Sequence, residues 1–300
     1  MDSTLGLVIS PTAGNGRGTS VGKVVRDRLF DAGHRVIPLG APTVAETHEI
    51  ISSAVSSGQI DGIVTMGGDG TVHLAVQHVV GTDLFLGHVP FGTGNDIARD
   101  LGLTTRWETG LDILLGALES REPSVIDALE ITGSHGTSYG LAVVSAGVDA
   151  VVNQAAISYT RPHGHARYLR AIVSELPKYS ARTYRIETDG KVAAGEAILV
   201  AIANLTSIGG GLAISPRSVF DDGMLDLIVA KKLSLSEVGR IFPKLYKGKH
   251  LEEDVVHTKR VSEVTLSTLG EGITAMVDGE EIGPLPVTVR VRPRALRFLR

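Results

Sequence analysis

The chain has 300 residues, 43% of them hydrophobic and 21% charged, which is the composition of a globular protein long enough for two domains. Its formal net charge of −4 argues against a general nucleic-acid binder, and the absence of cysteine excludes disulfides and thiolate metal sites. Its first residues lack the pattern of a signal peptide, and no stretch approaches the ~18 apolar residues of a membrane span, so we expect a cytoplasmic protein.

The first part of the chain alternates between short apolar strands and amphipathic helices. Strands are predicted at 5–9, 34–39, 60–66 and 84–89, and each is followed by a segment whose apolar residues recur at helical spacing. This order favours a parallel, doubly wound sheet whose loops gather at the carboxyl ends of the strands. Three of these loops are rich in glycine.

The most informative loop follows the third strand. It consists of Gly67, Gly68, Asp69, Gly70 and Thr71, and Thr71 is predicted as the N-cap of the next helix. A glycine-rich turn between a strand and a helix aims backbone N–H groups at an anion such as phosphate. A carboxylate inside such a turn would repel phosphate unless a cation lay between them, so Asp69 predicts Mg²⁺. The alternative is a connecting turn in which the aspartate has no such role.

The loops after the first and fourth strands are also glycine-rich. The first, residues 10–18, lacks the third glycine of a dinucleotide fingerprint and the Gly-Lys-Ser/Thr of a P-loop. Taken alone, it is either a phosphate loop or a plain connecting turn. The other, residues 90–99, places Asn95 and Asp96 at the start of a helix. Asp96 is either functional or a first-turn carboxylate that the helix dipole favours.

From residue 125 onward the pattern changes to strands with few helices. Helices are predicted only near 168–176 and 235–246. The strand-like segments are 125–132, 138–145, 182–188, 196–203, 225–230, 261–267, 273–277 and 287–291. This pattern favours an antiparallel β domain, a β-sandwich, after a boundary near Asp127. The predicted domains are therefore 1–127 and 128–287.

Two acidic clusters lie in this second half. Asp221, Asp222 and Asp226 surround a tight turn before a strand, which suits either a hard cation or a turn without metal. Further on, Asp278 and Glu280 flank one glycine between two strands, which is also the chemistry of a simple hairpin. The residues alone do not decide between these alternatives.

Taken together and in this order, the segments resemble the diacylglycerol kinase catalytic-domain family, the lipid kinases that also include sphingosine and ceramide kinases. The matching segments span nearly the whole chain and are 10–14, 67–71, 90–96, 221–226 and 278–280. The resemblance implies an N-terminal doubly wound α/β nucleotide-binding domain and a C-terminal antiparallel β-sandwich, with ATP and substrate meeting between them. The final strand, 288–300, is expected to return to the first domain.

The resemblance implies a binding site for ATP in the three loops. The residues that would bind its phosphates are Ser10, Pro11, Thr12, Ala13, Gly14, Gly67, Gly68, Asp69, Gly70, Thr71, Gly92, Thr93, Asn95 and Asp96. Asp96 and Asp127 also resemble the acidic network that joins the two domains in this family. The first loop departs from the family pattern, because Ser10 stands where asparagine is usual and Asn15 where lysine is common.

The resemblance also implies the catalytic and metal-binding residues. Either Asp278 or Glu280 would be the general base, and Asp69 is the third catalytic candidate. A structural Mg²⁺ would be bound by Asp222 together with the backbone carbonyls of Val219 and Met224. The expected cofactors are therefore ATP and Mg²⁺.

The implied activity transfers the γ-phosphoryl group of ATP to the hydroxyl of a membrane lipid, and diacylglycerol is the first candidate. The alternatives are a kinase of sphingoid bases, ceramide or another lipid, an NAD kinase, and a catalytically silent nucleotide-binding regulator. We expect peripheral, transient binding at the inner membrane surface through basic residues between 159 and 185, Arg167 and Arg170 among them. The sequence leaves the oligomeric state open, a homodimer included.

Overall fold

The structure is a computed structural model that describes residues 3–159, 161, 165–270 and 272–300. The chain divides into two compact units. Unit 1 comprises Met1–Ile126 and Arg294–Arg300, and unit 2 comprises Asp127–Pro293. Among the described residues, every helix is too short or too polar to cross a membrane.

Unit 1 alternates strands and helices. Its elements are β1 (Thr4–Ile9), the short turn α1 (Ala13–Gly16), α2 (Gly18–Asp31), β2 (Arg35–Pro38), α3 (Val44–Ser56), β3 (Gly62–Gly67), α4 (Asp69–Val79), β4 (Phe85–Pro90), α5 (Asp96–Asp100) and α6 (Trp107–Ser120). The strands pair in parallel in the order β2-β1-β3-β4. Residues Arg297 to Leu299, from the last strand of the chain, pair in parallel with β4.

Helices cover both faces of this sheet, as the predicted doubly wound fold requires. Val25 of α2 and Leu114 of α6 share one buried cluster with Leu7 and Val64 of the sheet. The strand order reverses direction at β1 and β3, and right-handed connections therefore place α4 on the opposite face. In open sheets of this kind, ligands bind outside the carboxyl ends of the strands at the point of reversal.

Unit 2 is dominated by strands. Its elements are β5 (Ser124–Gly133), which begins in unit 1, β6 (Gly136–Gly140), β7 (Val143–Gly147), α7 (Val148–Ser158), α8 (His165–Glu175), β8 (Arg182–Thr188), β9 (Lys191–Ala203), β10 (Leu225–Lys231), α9 (Leu235–Leu245), β11 (Val256–Val261), β12 (Glu263–Thr268), β13 (Thr274–Val277), β14 (Glu280–Pro284) and β15 (Val287–Leu299), which ends in unit 1. Short 3₁₀ turns follow α8 and α9, at Leu176–Lys178 and Lys249–Glu252.

The long strand β9 belongs to two antiparallel layers. Its first half pairs with β8, and β8 continues through β12 to β15. Its second half pairs with β7 and β10, which continue to β13 and β11. One apolar cluster joins both layers, with Val144 and Val200 from one and Val264 and Val289 from the other. The β-sandwich prediction is thus confirmed.

Unit 2 differs from the predicted pattern in several places, and the strands β11 and β14 were not among the predicted segments. The segment 138–145 is not one strand, because the chain turns between β6 and β7 at residues 141 and 142. The helix α7 was not predicted. Together with α8 and α9, α7 forms a separate buried cluster that includes Val152, Ala171 and Phe242.

Candidate functional site

Three loops meet at the carboxyl ends of the central strands of unit 1. The backbone N–H of Ser10, after β1, donates to the carbonyl of Met66 in β3 at 2.9 Å. The N–H of Phe91, after β4, donates to the carbonyl of Gly67 at 2.7 Å. Both flanking loops are therefore tied to the strand that carries the Gly-Gly-Asp-Gly-Thr segment.

The close contact between the second and third loops depends on Gly92, whereas Gly67 is crowded by Thr71 of its own loop. A Cβ atom on Gly92 would lie 2.4 Å from the Cα of Gly68 and 2.7 Å from Oδ1 of Asn95. A Cβ atom on Gly67 would lie 2.2 Å from Oγ1 of Thr71. Since real Cβ atoms do not make contacts this short, only glycine permits this approach of the two loops.

Asp69 links the second loop to the helix after the third. Its two carboxylate oxygens accept hydrogen bonds from the N–H groups of Asp96, at 3.1 Å, and Ile97, at 3.0 Å. A carboxylate at this position satisfies donors at the start of α5 and matches the helix dipole. Asp69 therefore holds the geometry of both loops, whatever else it binds.

Thr71 is not the N-cap of α4, contrary to the sequence prediction. The helix begins at Asp69, with Gly68 in the N-cap position. The N–H of Thr71 donates to the carbonyl of Gly68 at 3.0 Å. Among the described residues, no side chain caps the N-terminus of α4, so its first turn presents backbone N–H groups, the arrangement that binds phosphate at helix N-termini.

The third loop is closed by its own side chains. Asn95 adopts the left-handed conformation, with φ of 53°, and exchanges two hydrogen bonds of 3.0 Å with the backbone of Gly92. The buried carboxylate of Asp96 accepts a hydrogen bond of 2.5 Å from Arg99. Arg99 also donates to the carbonyl of Gly94 at 2.8 Å. The polar residues at 95 and 96 thus shape this loop.

The first loop contacts the third through Phe91. Gly14 has φ of 59°, and a Cβ atom there would lie 2.3 Å from the Phe91 ring. The guanidinium of Arg17 lies 5.6 Å from the centre of the same ring, and its Nε donates to the carbonyl of Gly14 at 3.1 Å. The cluster of loops therefore carries one cation next to the backbone donors, which favours an anionic ligand.

In unit 2, the carboxylate of Asp278 accepts hydrogen bonds from three consecutive backbone N–H groups. The donors are Leu141, Ala142 and Val143, at 2.9, 2.8 and 3.3 Å. The N–H of Asp278 in turn donates to the carbonyl of Val143 at 3.1 Å. Asp278 therefore fixes the turn between β13 and β14 against the start of β7.

Glu280 lies two residues further on and is exposed. It lines a polar cleft of unit 2 together with Asn153, Tyr179 and Arg182. The side-chain amide of Asn153 donates to the carbonyl of Gly279 at 2.8 Å and so holds the tip of the turn. Of the two carboxylates that flank Gly279, Glu280 is the one that lines the cleft.

The acidic turn before β10 places Asp222 next to a cation from the protein itself. One oxygen of Asp222 accepts the N–H of Met224 at 3.0 Å, and the other accepts a hydrogen bond from the guanidinium of Arg260. Within the described part of the chain, no group of three or more histidine, aspartate or glutamate side chains has the geometry of a metal site. These contacts do not fit the Mg²⁺ predicted at Asp222 with Val219 and Met224.

Unit 2 contains an apolar cavity that was not predicted from the sequence. The cavity lies between the strands β9 and β10 and the helices α7, α8 and α9. Its lining includes Val148, Val152, Ile172, Leu199, Leu212, Ile228, Ala230, Phe242 and Leu245. The strand β11 and both 3₁₀ turns also contribute residues to its lining, so no local sequence pattern could reveal the cavity.

Two polar side chains that line the cavity, Asp149 and His250, each have a buried atom without a partner among the described residues. Asp149 accepts a short hydrogen bond from the hydroxyl of Ser145 through Oδ2, and its Oδ1 is the atom without a partner. Burial raises the pKa of Asp149, an effect that the Ser145 hydrogen bond partly offsets. His250 contacts the carbonyl of Ile214 through Nε2 at 3.0 Å, while its Nδ1 has no described partner. Burial lowers the pKa of His250. An aspartate within the apolar run 148–152 was the one available sequence signal.

Comparison with known proteins agrees with this arrangement. Residues 4–131 match the family model described as diacylglycerol kinase catalytic domain, and residues 142–300 match the one described as YegS C-terminal NAD kinase beta sandwich-like domain. A diacylglycerol kinase of Mycobacterium tuberculosis is 33% identical over 294 residues, covering 97% of this chain and 93% of the relative. One from Bacillus subtilis is 28% identical over 236 residues, covering 76% of this chain and 74% of the relative.

Solved structures show the same fold. A diacylglycerol kinase from Bacillus anthracis superposes with a TM-score of 0.72 at 17% identity, covering 99% of this chain and 96% of that one. An NAD kinase from Archaeoglobus fulgidus in complex with ATP superposes with a TM-score of 0.54 at 14% identity, covering 100% of this chain and 94% of that one. On the strength of the family models and the sequence relatives, the chain belongs to the diacylglycerol kinase family of lipid kinases.

Proposed function

We propose that this chain transfers the γ-phosphoryl group of ATP to the hydroxyl of a membrane lipid, with diacylglycerol as the acceptor and phosphatidic acid as the product. The observation that supports a lipid acceptor is the apolar cavity of unit 2, which lies on one side of α7. The polar cleft that contains Glu280 is lined by the other side of the same helix. A lipid tail would need the apolar environment, and the reacting hydroxyl would need the polar one.

The three loops of unit 1 fit the phosphates of a nucleotide. The loops can lie this close together because positions 67 and 92 are glycine, and a side chain at either position would clash with neighbouring atoms. The first turn of α4 supplies backbone N–H groups, and Arg17 supplies a positive charge near the first loop. ATP, when bound, supplies the phosphoryl group. In this step the residues of the three loops would hold the phosphates in line with the acceptor hydroxyl and would offset their negative charge.

Mg²⁺ bound with the nucleotide remains a prediction that rests on Asp69. Both of its oxygens accept a backbone N–H, but a carboxylate oxygen has two lone pairs and can accept a further ligand. A cation there would offset the negative charge that Asp69 brings into a phosphate loop. The residue would then both position the loops and bind the metal.

The proton of the acceptor hydroxyl goes to one of the two carboxylates that flank Gly279. The geometry favours Glu280, which lines the polar cleft. Asp278 is held by three backbone donors and fixes the turn on which Glu280 stands. A base must come within hydrogen-bond reach of the proton it removes, and an exposed glutamate side chain has the freedom to do so.

Membrane binding is proposed for the surface around α8. Arg170 lies over the ring of Tyr159, with its guanidinium 4.2 Å from the ring centre, and Val173 on the same helix is 66% exposed. An exposed apolar side chain beside arginine and tyrosine suits the interface of an anionic membrane. Two other basic residues of this region have acidic partners, since Lys178 pairs with Glu175 and Arg185 with Glu187. The proposed surface is therefore smaller than the sequence predicted.

The cavity can be tested by filling it. Ala230 lines the cavity from β10, so Ala230→Phe should place a ring in it. We expect kcat/KM for a long-chain diacylglycerol to fall at least about tenfold, while a water-soluble short-chain acceptor keeps its rate, because only the long chain needs the space. Ala194→Phe, on an exposed part of β9, is the matched control.

Two outcomes would contradict the proposed role of the cavity. One is an equal loss on the two acceptors, which would show a general disturbance of the site. The other is an unchanged rate on the long-chain acceptor in a variant whose thermal unfolding shows that it is folded.

A further inference from the structure

The acidic turn before β10 is held by hydrogen bonds within unit 2. The N–H of Asp127 donates to the carbonyl of Phe220 at 2.7 Å, and the N–H of Gly223 donates to Oδ2 of Asp127 at 2.7 Å. Ser218 donates through Oγ to Oδ2 of Asp226 at 2.8 Å. Three carboxylates, those of Asp127, Asp222 and Asp226, therefore lie around this turn, and Asp127 is fully buried.

Arg260 reaches this turn from the neighbouring strand. It stands on β11 directly opposite Asp226 on β10. Its NH2 donates to Oδ2 of Asp222, and its Nε lies 4.0 Å from Oδ1 of Asp226. The strand register places the backbone of Arg260 beside the turn, within reach of its side chain. One positive charge thus contacts two of the three carboxylates.

A guanidinium and a magnesium ion place different demands on such a turn. Mg²⁺ requires near-octahedral coordination by oxygen atoms at short distance and keeps part of its water. Arginine needs only carboxylate oxygens within reach of its planar donors. Here one oxygen of Asp222 binds the guanidinium of Arg260, and the other accepts the N–H of Met224. The positive charge of Arg260 would repel a metal ion at the same carboxylate, whereas the backbone N–H groups that donate to Asp69 carry no net charge.

We propose that the guanidinium of Arg260 is the resident cation of this acidic turn and takes the place that a structural Mg²⁺ would otherwise have. The turn then keeps its shape without divalent metal, and any Mg²⁺ that the protein uses serves the nucleotide. This inference concerns stability, so it stands or falls independently of the proposed kinase activity. Removing the guanidinium leaves the acidic turn with uncompensated charge, and Mg²⁺ becomes its replacement.

Thermal unfolding of the nucleotide-free chain, in EDTA and in millimolar Mg²⁺, tests this inference. We expect wild type and Asp222→Asn to respond to Mg²⁺ equally, because no cation binds through Asp222 while Arg260 is present. Arg260→Gln should unfold at a lower temperature in EDTA, and Mg²⁺ should raise its Tm by about 2 °C or more, since a ligand that binds only the folded state stabilises it. Adding Asp222→Asn to that variant should abolish the increase.

Two further variants serve as controls. Arg260→Lys keeps a positive charge and should remain insensitive to Mg²⁺. Arg290→Gln removes another cross-strand arginine, which pairs with Glu263 at 2.6 Å outside the turn, and should gain no Mg²⁺ response.

The proposal is overturned if Mg²⁺ raises the Tm of wild type and Asp222→Asn removes that increase. It is equally overturned if Arg260→Gln is folded and gains no response that depends on Asp222. If Arg260→Gln does not fold, the comparison of wild type with Asp222→Asn still tests the proposal. A Mg²⁺ response of wild type that depends on Asp222 would contradict it. Equal Mg²⁺ responses of the two proteins would support it.

Discussion

Replacing Gly92 with alanine tests the role of the contact between the second and third loops. The added Cβ would lie 2.4 Å from the Cα of Gly68, whereas ordinary contacts of this kind are 3.4–4 Å. The two loops must therefore separate by about 1 Å, and a misplacement of that size costs on the order of 100-fold in rate. This corresponds to about 2.7 kcal/mol of transition-state stabilisation. Overpacking would also lower stability by about 1–3 kcal/mol.

The assay is kcat/KM for ATP at a saturating lipid concentration, together with thermal unfolding of the same protein. Gly116→Ala in α6 is the matched control, because a Cβ atom there would meet nothing within 4 Å. We expect the control to keep its rate, and alanine in a helix should leave its stability equal or higher. If Gly92→Ala stays within about threefold of wild type, the loops do not form the nucleotide cradle inferred from their spacing.

Three further predictions concern other parts of the molecule. Glu280→Gln should lose roughly 10²–10⁴-fold in kcat at unchanged Tm, whereas Asp278→Asn should also lower the Tm. If the rate of Glu280→Gln stays within tenfold of wild type, the base is assigned to Asp278. Burial lowers the pKa of His88 to about 4. The free energy of unfolding should therefore fall by about 3 kcal/mol as pH decreases from about 6.5 to 4. In denaturant titrations, the free energy of unfolding of His88→Gln should fall less over the same pH range. Arg167→Glu with Arg170→Glu should abolish salt-sensitive binding to anionic vesicles and spare turnover of a water-soluble acceptor; equal binding of wild type to neutral vesicles would refute the membrane surface.

The fold class could be predicted from the sequence because each domain has one dominant periodicity. Alternating strands and helices specify a parallel sheet, and the strand-rich second half specifies antiparallel layers. The helix α7 was not predicted, although its buried residues Val148, Val152 and Ala156 recur every four positions, which is helical spacing. The signal is weak because small and β-branched residues, which are also common in strands, make up this face.

The candidate site was predicted less completely than the fold. The glycines at 67, 68 and 92 were singled out, and their close contacts give the reason for glycine at these positions. The partners of Asp69 could not be foreseen, because they are backbone N–H groups almost 30 residues away. The same holds for Arg260 beside Asp222, since only the register of two strands brings them together.

The most direct test of the central claim is transfer of labelled phosphate to a lipid. The purified chain is incubated with γ-labelled ATP, Mg²⁺ and a total lipid extract, and the labelled product is identified by mass spectrometry, with Glu280→Gln as the background. We expect label in phosphatidic acid, and acceptor lipid consumed in equal amount. Label that appears only in free phosphate, or that passes to NAD when NAD is supplied, would contradict the assignment of this chain as a lipid kinase.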